Sequence, residues 1–465
     1  MKVLLLSAPY LKNYMRNARC DFVSLSGSQW YPLLLGYCGA WLEKCGHEVR
    51  LIDAPAYGLS FSETEAIVRD FMPDWIVLYS GRLSEDSDIE FAERLKAISG
   101  AEIVIVGPYA SIDPMLTLSK AKTVKYLITG EFELPVAELI EGKDPKGIAN
   151  LFCRDSSSEI FRNPERPYLC TAQLDKVPFV SEFFKRHLNI YKYRTPSEPY
   201  PFMDILTGRG CEWGRCTYCL WVNTYIKGPV YNTRSISNVI DELRFIVREM
   251  PEVKSVMIQD DTLTEERARE LSSAILASGI RLNWSCYARA NMTYETLKLM
   301  KEAGCLNLHV GFESADNTIL RSIKKGITVQ QMTQFTEDAK RAGLRIHGDF
   351  AIGFPDETIE SAQKTIDWAC KMRPHTAQFQ LMIPFKGTPF YDEVVSKGYF
   401  DGARLSYPAL SHEQLEEVSK RAYRRFYISL PYLMEVLRNP KELLFSKLKT
   451  YREAIPAVFW RRYIR

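Results

Sequence analysis

Met203-Asp204-Ile205-Leu206-Thr207-Gly208-Arg209-Gly210-Cys211-Glu212-Trp213-Gly214-Arg215-Cys216-Thr217-Tyr218-Cys219 passes from an apolar strand straight into a loop that gathers three cysteines within nine positions. Three thiolates this close can share one soft metal centre, because thiolate softness selects zinc or iron-sulfur clusters over hard cations. A structural zinc ion wants four protein ligands. No fourth lies nearby, since Cys286, Cys305 and His309 fall on other strands. A four-iron cluster on three cysteines instead leaves one iron open to a ligand carrying amine and carboxylate groups.

Downstream of this loop, apolar runs alternate with helical patterns. Strands are expected over 203–207, 255–259, 282–288, 306–312, 345–352 and 377–383. Helices are expected between them at 235–249, 265–277, 293–303, 329–342 and 358–371. Several helices stop at a glycine able to take the left-handed terminating position: Gly279, Gly304 and Gly343. Six strands with intervening helices give an incomplete parallel barrel, whose chemistry sits at the carboxyl ends of the strands. Those ends carry Asp260-Asp261, Arg289, Gly311-Phe312-Glu313-Ser314, Gly353-Phe354-Pro355-Asp356-Glu357 and Pro384-Phe385-Lys386-Gly387. A helix cap is the structural alternative for Asp261.

Upstream, strands are expected at 2–7, 48–53, 74–79, 102–106 and 125–128. Helices are expected at 32–44, at 62–71 with Ser62 as cap and Glu65 at its third position, and at 88–98. This is the pattern of a doubly wound parallel sheet, with its ligand outside the carboxyl ends of the strands. Those ends read Ala8-Pro9, Asp53-Ala54, Ser80-Gly81-Arg82, Gly107-Pro108 and Gly130-Glu131. The division expected is 1–143, a connector over 144–200, a barrel over 201–400 and a helical extension over 401–465. Sixty basic against 57 acidic residues leave +3, too little for a nucleic-acid binder without a local patch. No run reaches the ~18 apolar residues of a membrane span. The 11 cysteines, without a secretory signal, point to reduced thiols and a cytoplasmic location.

The cysteine loop resembles the radical S-adenosylmethionine (SAM) signature, in which three cysteines hold a [4Fe-4S] cluster and an aromatic residue, here Tyr218, precedes the last. The usual spacing is C-x3-C-x2-C, so the four residues between Cys211 and Cys216 are one too many, an excess that a bulge can absorb. The resemblance assigns Cys211, Cys216 and Cys219 to the cluster, and Tyr218, Asp260, Arg289, Glu313, Ser314 and Gly353 to SAM. The N-terminal region, with Tyr31-Pro32-Leu33-Leu34-Leu35-Gly36, Gly46-His47-Glu48-Val49, Gly107-Pro108 and Gly130-Glu131-Phe132-Glu133, is similar to the cobalamin-binding domain that precedes many radical SAM domains. It implies corrinoid contacts from Pro9, Ser80, Gly81, Arg82, Gly107, Pro108, Gly130 and Glu131. Without a D-x-H-x-x-G loop, it implies a cobalt lacking a histidine ligand.

The fold class is therefore α/β: a Rossmann-like cobalamin-binding domain, a partial (β/α)6 radical SAM barrel and a helical extension. The activity implied is that of an enzyme: SAM cleavage, hydrogen abstraction from an unactivated carbon and methyl transfer from methylcobalamin. Cyclisation, carbon-carbon coupling or rearrangement without methyl transfer is the alternative. A tRNA methylthiotransferase is a weaker one, because Cys20, Cys38 and Cys45 fall around a helix rather than on convergent strand ends. The partners implied are a small-molecule or lipid-like substrate and an electron donor such as flavodoxin or ferredoxin, with no nucleic acid. The tail from Ser411 to about Leu437 reads as an amphipathic helix. Beyond it, Lys441, Lys447, Lys449, Arg452, Arg461, Arg462 and Arg465 mix with aromatic residues, the composition of a packed helix pair or of a peripheral membrane contact.

Overall fold

The apolar run at the start of the chain forms β1 (Lys2–Ser7) in the computed structural model, which describes residues 1–16, 21–24, 27–430, 432 and 434. A short hairpin follows, β2 (Tyr14–Arg16) with β3 (Asp21–Val23), then β4 (Glu48–Asp53), β5 (Trp75–Tyr79), β6 (Glu102–Val106) and β7 (Tyr126–Ile128). β8 (Leu151–Arg154) and β9 (Ile160–Arg162) complete a seven-stranded sheet in the order β4-β1-β5-β6-β7-β8-β9. Strands β4 to β7 and β1 run parallel, whereas β8 and β9 join antiparallel. Alternate residues of β1 serve opposite faces: Val3 and Leu5 enter one core cluster, Leu4 and Leu6 another. That is the burial of a strand covered on both sides.

The boundary expected at residue 143 cuts through this layer, because β8 and β9 extend its sheet. Both strands are short, and they flank the Ser156-Ser157-Ser158 turn that reads as linker. The rest of the connector is also packed: Phe183 and Phe184, on the helix Val180–His187, fill the space left by Gly39 and Gly36 on the helix Leu33–Lys44. Helix starts shift too. Ser60, not Ser62, caps Phe61–Phe71 in a capping box with Glu63; the frame two residues later is an equally good match in sequence. The helix expected from Asp88 begins at Glu85, and Asp88 is drawn into an ion pair with Arg16.

The second layer holds β10 (Phe202–Ile205), a hairpin of β11 (Gly208–Cys211) and β12 (Val230–Thr233), then β13 (Ser255–Leu263), β14 (Asn283–Ala288), β15 (Cys305–Glu313), β16 (Arg345–Ile352) and β17 (Thr376–Leu381). Six of these form a parallel sheet in the order β10-β13-β14-β15-β16-β17. Gly279, Gly304 and Gly343 have φ of 70°, 92° and 81° after their helices, the terminating role their positions suggest. The helix His412–Tyr427, capped by Ser411, closes the free edge of the sheet: the Tyr427 and Tyr423 hydroxyls accept hydrogen bonds from Ala377 N and Phe379 N of β17. The basic residues from Lys441 to Arg465 lie outside the described residues. No helix among the described residues is long and apolar enough to cross a membrane.

The two layers are fastened by the start of the helix Leu33–Lys44. Tyr31 stacks on Tyr193 and Phe184 at 4.1 and 5.0 Å, and its hydroxyl donates to Phe202 O at 2.8 Å. Tyr37 OH accepts from Leu206 N at 2.8 Å, just before the cysteine loop.

Candidate active site

The cysteine loop hangs from two adjacent carboxylates. Asp260 accepts from Thr207 N and Thr207 Oγ1, both at 2.6 Å, and from Tyr231 OH at 2.8 Å. Asp261 Oδ2 accepts from Gly210 N at 2.7 Å. The register of β13 against β14 slips between Ile258 and Leu263, which lets these successive residues grip both strands of the β11–β12 hairpin. Asp260, expected to contact SAM, is fully buried and spends both oxygens on the loop, so in this structure it positions the cysteines. Asp261 does not cap the next helix; Thr264 does, accepting from Arg267 N at 3.1 Å.

The segment between Cys211 and Cys216 accommodates its length at Gly214, with φ of 53°. A Cβ at Gly214 would fall inside the backbone of Gly228-Pro229. Trp213 turns outward onto Gly326, donating from Nε1 to Lys324 O at 2.8 Å, while Thr217 N donates to Ile323 O at 3.1 Å. The loop is thereby docked on the turn after the helix Asn317–Ser322.

Burial raises the Cys216 thiol and pushes the Cys219 thiol up to about 12, with the charges of neighbouring cysteines adding to both. Thiolates in such a place need positive charge close by, which iron supplies. Cys286 and Cys305 contact each other inside the barrel, away from the loop. Among the described residues no three His, Cys, Asp or Glu side chains converge as ligands of a single ion must. Three cysteines on one loop are, by the softness of their thiolates, a donor set that fits an iron-sulfur cluster.

Beside the cysteines, Lys325 forms a buried pair with Glu313 Oε1 at 2.9 Å and lies 3.4 Å from Tyr218 OH. Glu313 adopts a left-handed φ of 64°, a strained backbone of the sort held at functional sites. Arg289 donates to Lys325 O at 2.5 Å and lies 4.9 Å over the Trp213 ring. Lys325 belongs to no recognisable motif and is absent from the sequence reading; its only signal is a charge in a turn before Gly326. Ser314, expected at SAM, is turned away: its hydroxyl lies 3.2 Å from Thr365 Oγ1 and accepts from Asp316 N at 3.2 Å. Gly353, with φ of 103°, donates its N–H to Glu357 Oε2 at 2.5 Å and accepts from Tyr407 OH at 2.7 Å. Burial lifts the Glu357 carboxyl to about 7.

On the first sheet, the carboxyl edge faces the barrel rim. Arg82 lies 5.9 Å over Phe385, Tyr109 packs 6.2 Å from the same ring, and Lys386 pairs with Asp113. Arg209, one step before the cysteines, pairs with Glu131 at 2.9 Å and Glu133 at 2.7 Å, all three side chains buried. Glu131 is thus engaged by Arg209 and Leu169 N rather than open to a corrinoid. Gly81 is spoken for as well, since a Cβ there would strike Tyr14 OH of the β2–β3 hairpin. Tyr14, Arg16, Asp21, Ser84 and Asp88 form a buried hydrogen-bonded network behind Pro9 and Ser80, unmarked in the sequence. What fits a large planar ligand is the remainder. Ser80 Oγ is buried with no hydrogen-bond partner among the described residues, and Gly107-Pro108 and Gly130 bring backbone to the edge at φ of 117° and 63° for the two glycines.

A doubly wound layer is set edge to edge with a partial barrel, and the barrel's first loop carries the three cysteines. Residues 205–369 match the Radical SAM superfamily model. An uncharacterized methyltransferase of Pyrococcus horikoshii is 30% identical over 415 residues, 85% of this chain and 88% of that protein. The cytidylyl-2-hydroxyethylphosphonate methyltransferase of Streptomyces wedmorensis is 27% identical over 430 residues, 80% of this chain and 79% of its own. Among solved structures, the fold is shared with the radical SAM methyltransferase TsrM of Kitasatospora setae, at TM-score 0.67 and 18% identity over 88% of this chain and 79% of that one. It is shared also with the cobalamin-dependent SAM radical enzyme OxsB, at TM-score 0.68 and 15% identity over 98% and 71%. The chain belongs to the radical SAM family of the Pyrococcus methyltransferase. It is an enzyme of that family, and its radical SAM domain implies a [4Fe-4S] cluster and SAM.

Proposed function

We propose that this chain is a cobalamin-dependent radical SAM methyltransferase that alkylates an unactivated carbon of a small molecule. The observation that carries this reading is the meeting of the two carboxyl edges, with Arg209, two residues before Cys211, joining Glu131 and Glu133. When bound, the cluster supplies the electron for SAM cleavage and cobalamin the methyl group. The protein's part is to hold and exclude. Cys211, Cys216 and Cys219 ligate iron, and Asp260 and Asp261 hold their hairpin. Glu313, Lys325 and Arg289 offer charges for the amine, ribose hydroxyls and carboxylate of SAM. Gly353 packs against Leu405 and Leu415 with its N–H on Glu357 and its carbonyl on Tyr407, so its part is to fix the turn at the end of β16. Ser80, Gly107, Pro108 and Gly130 meet the corrinoid, with Pro9 and Arg82 at its margins. None of the six histidines lies in those loops, so the cobalt takes no histidine from them. As a domain division we take the corrinoid layer through Arg162, a fastening segment to residue 200, the barrel over 201–400 and the extension from 401. A flavodoxin or ferredoxin in a reducing cytoplasm fits the free cysteines.

The test is anaerobic reconstitution with iron, sulfide and hydroxocobalamin. The parent should retain iron and corrinoid, and after one-electron reduction of the corrinoid to the Co(II) state its paramagnetic resonance should show no nitrogen splitting. Replacing all three loop cysteines by Ala should remove the iron. With reductant and substrate, S-adenosylhomocysteine should accumulate beside 5'-deoxyadenosine; 5'-deoxyadenosine alone would move the assignment to cyclisation or rearrangement.

A further inference from the structure

The outer wall of the cysteine loop gathers positive charge around one aromatic ring. The guanidinium groups of Arg215 and Arg289 lie 5.2 and 4.9 Å from the Trp213 ring. The ring itself is seated on Gly326, where a Cβ would stand 2.1 Å from it. The turn from Arg321 to Gly326 carries three cations and no acid. Lys325 points inward to Glu313, but Arg321 and Lys324 are exposed, as is Arg215, and none of these three forms an ion pair among the described residues. Glu212 is the single acid between Cys211 and Cys219. Elsewhere on the surface Lys185, Arg186 and Lys397 meet Glu249, Glu182 and Glu393.

One carbonyl joins this wall to the cysteines. Lys324 O accepts from Trp213 Nε1 at 2.8 Å and lies 3.8 Å from Cys216 Sγ. A ring at the surface is thereby linked, through one hydrogen bond and one peptide oxygen, to a thiol expected to hold iron. Holding the loop in place accounts for that hydrogen bond. It leaves the exposed cations unexplained, because like charges repel unless a partner of opposite sign meets them, and a patch of one sign steers and seats such a partner.

We propose that Trp213, Arg215, Arg321 and Lys324 form the seat of an acidic protein that carries single electrons, and that electrons enter the cysteine loop here. The proposal rests on the reading of Cys211, Cys216 and Cys219 as iron ligands. In the transfer the carrier loses one electron and the iron it reduces gains one; no bond is made or broken and no proton moves. An RNA backbone would feel the same charges, but it has no use for the link from Trp213 to Cys216.

The test is titration calorimetry of the anaerobic, cluster-loaded protein with an acidic flavodoxin, at about 0.05 M and about 0.5 M salt. Arg215→Glu combined with Lys324→Glu should weaken binding about tenfold at low salt, and the difference should vanish at high salt. Arg321→Glu alone should act in the same direction, whereas Lys185→Glu, on the helix Val180–His187, should change nothing. With flavodoxin hydroquinone below saturation, bleaching of the iron-sulfur absorbance should slow by the same factor as binding weakens. The extent of reduction by dithionite, the iron content and the melting temperature should stay parental. No binding by the parent, parental binding by the double variant, a loss that persists at high salt, an equal loss from Lys185→Glu, or tighter binding of a single-stranded RNA would overturn the proposal. A parent that retains no iron would count against the cofactor reading instead, and calorimetry on the iron-free chain would still decide the seat.

Discussion

Arg209→Met should separate the two layers electrostatically while leaving each fold intact. The side chain is buried, and its guanidinium is the cation seen by Glu131 and Glu133, whose own side chains are 7% and 2% exposed. Burial already raises the Glu131 carboxyl against the pull of Arg209. Without the guanidinium, the cheapest relief is protonation of the stranded carboxylates. Taking an ordinary glutamate near 4.5, neutralising one at pH 7 costs about 3 kcal/mol and two about 7 kcal/mol, in the range measured for broken buried pairs. At pH 5 the same protonation costs about 1 kcal/mol in all. The variant should therefore lose several degrees of melting temperature at pH 7, and most of that loss should vanish at pH 5. Adding Glu131→Gln and Glu133→Gln should restore stability at both pH values. The assay is anaerobic thermal unfolding of parent, single and triple variants, with iron content measured alongside because Arg209 is two residues from Cys211. An equal loss at pH 5 and pH 7, or no recovery in the triple variant, would refute the assignment of this ion cluster as the fastener.

Gly214→Ala should lower iron content, since a left-handed φ costs a side chain about 1–2 kcal/mol and the Cβ must also displace Pro229; full iron occupancy would show that the loop yields freely. Glu313→Gln should weaken SAM binding about tenfold, measured by anaerobic titration calorimetry, with iron content unchanged. Glu198→Gln should flatten the pH dependence of stability. Burial lifts the Glu198 carboxyl to about 8, so its contribution is full below its ordinary value and is lost as pH rises toward 8. The variant should match the parent near pH 5 and exceed it at pH 8 by on the order of 4 kcal/mol in chemical unfolding.

Much of the fold is legible because its signals are local. Each barrel unit is an apolar run, a helical period and a glycine, and burial within a few residues suffices to mark it. The first sheet reads the same way until β8 and β9, whose strands of four and three residues are too short to carry a period. The site divides similarly. Cys211, Cys216, Cys219, Glu313 and Gly353 sit in contiguous motifs. Lys325, and the pairing of Arg209 with residues 78 and 76 positions away, leave no mark in their own neighbourhoods. Asp260 shows the converse: its place at a strand end is readable, but whether a carboxylate meets a ligand or a neighbouring loop depends on where Thr207 and Tyr231 are brought.

The inner face of the barrel was readable and carries a different lesson. His309, His347, Asp349 and Gln378 alternate with apolar residues along strands that the hydropathy pattern marks as buried. Polar groups on a covered strand cost free energy unless they are paired, and here they are: His309 lies 3.6 Å from Glu198 and 6.2 Å from the Trp30 ring, and His347 meets Thr376 and Asp349 at 2.7 and 3.3 Å. In β1 and β5, where helices cover both faces, the repeat is absent: Val3, Leu4, Leu5 and Leu6 are all apolar, as are Ile76, Val77 and Leu78. The contrast between the two sheets is one of pairing: the barrel keeps buried polar residues where neighbouring strands and Glu198 supply their partners, and the first sheet has no such layer.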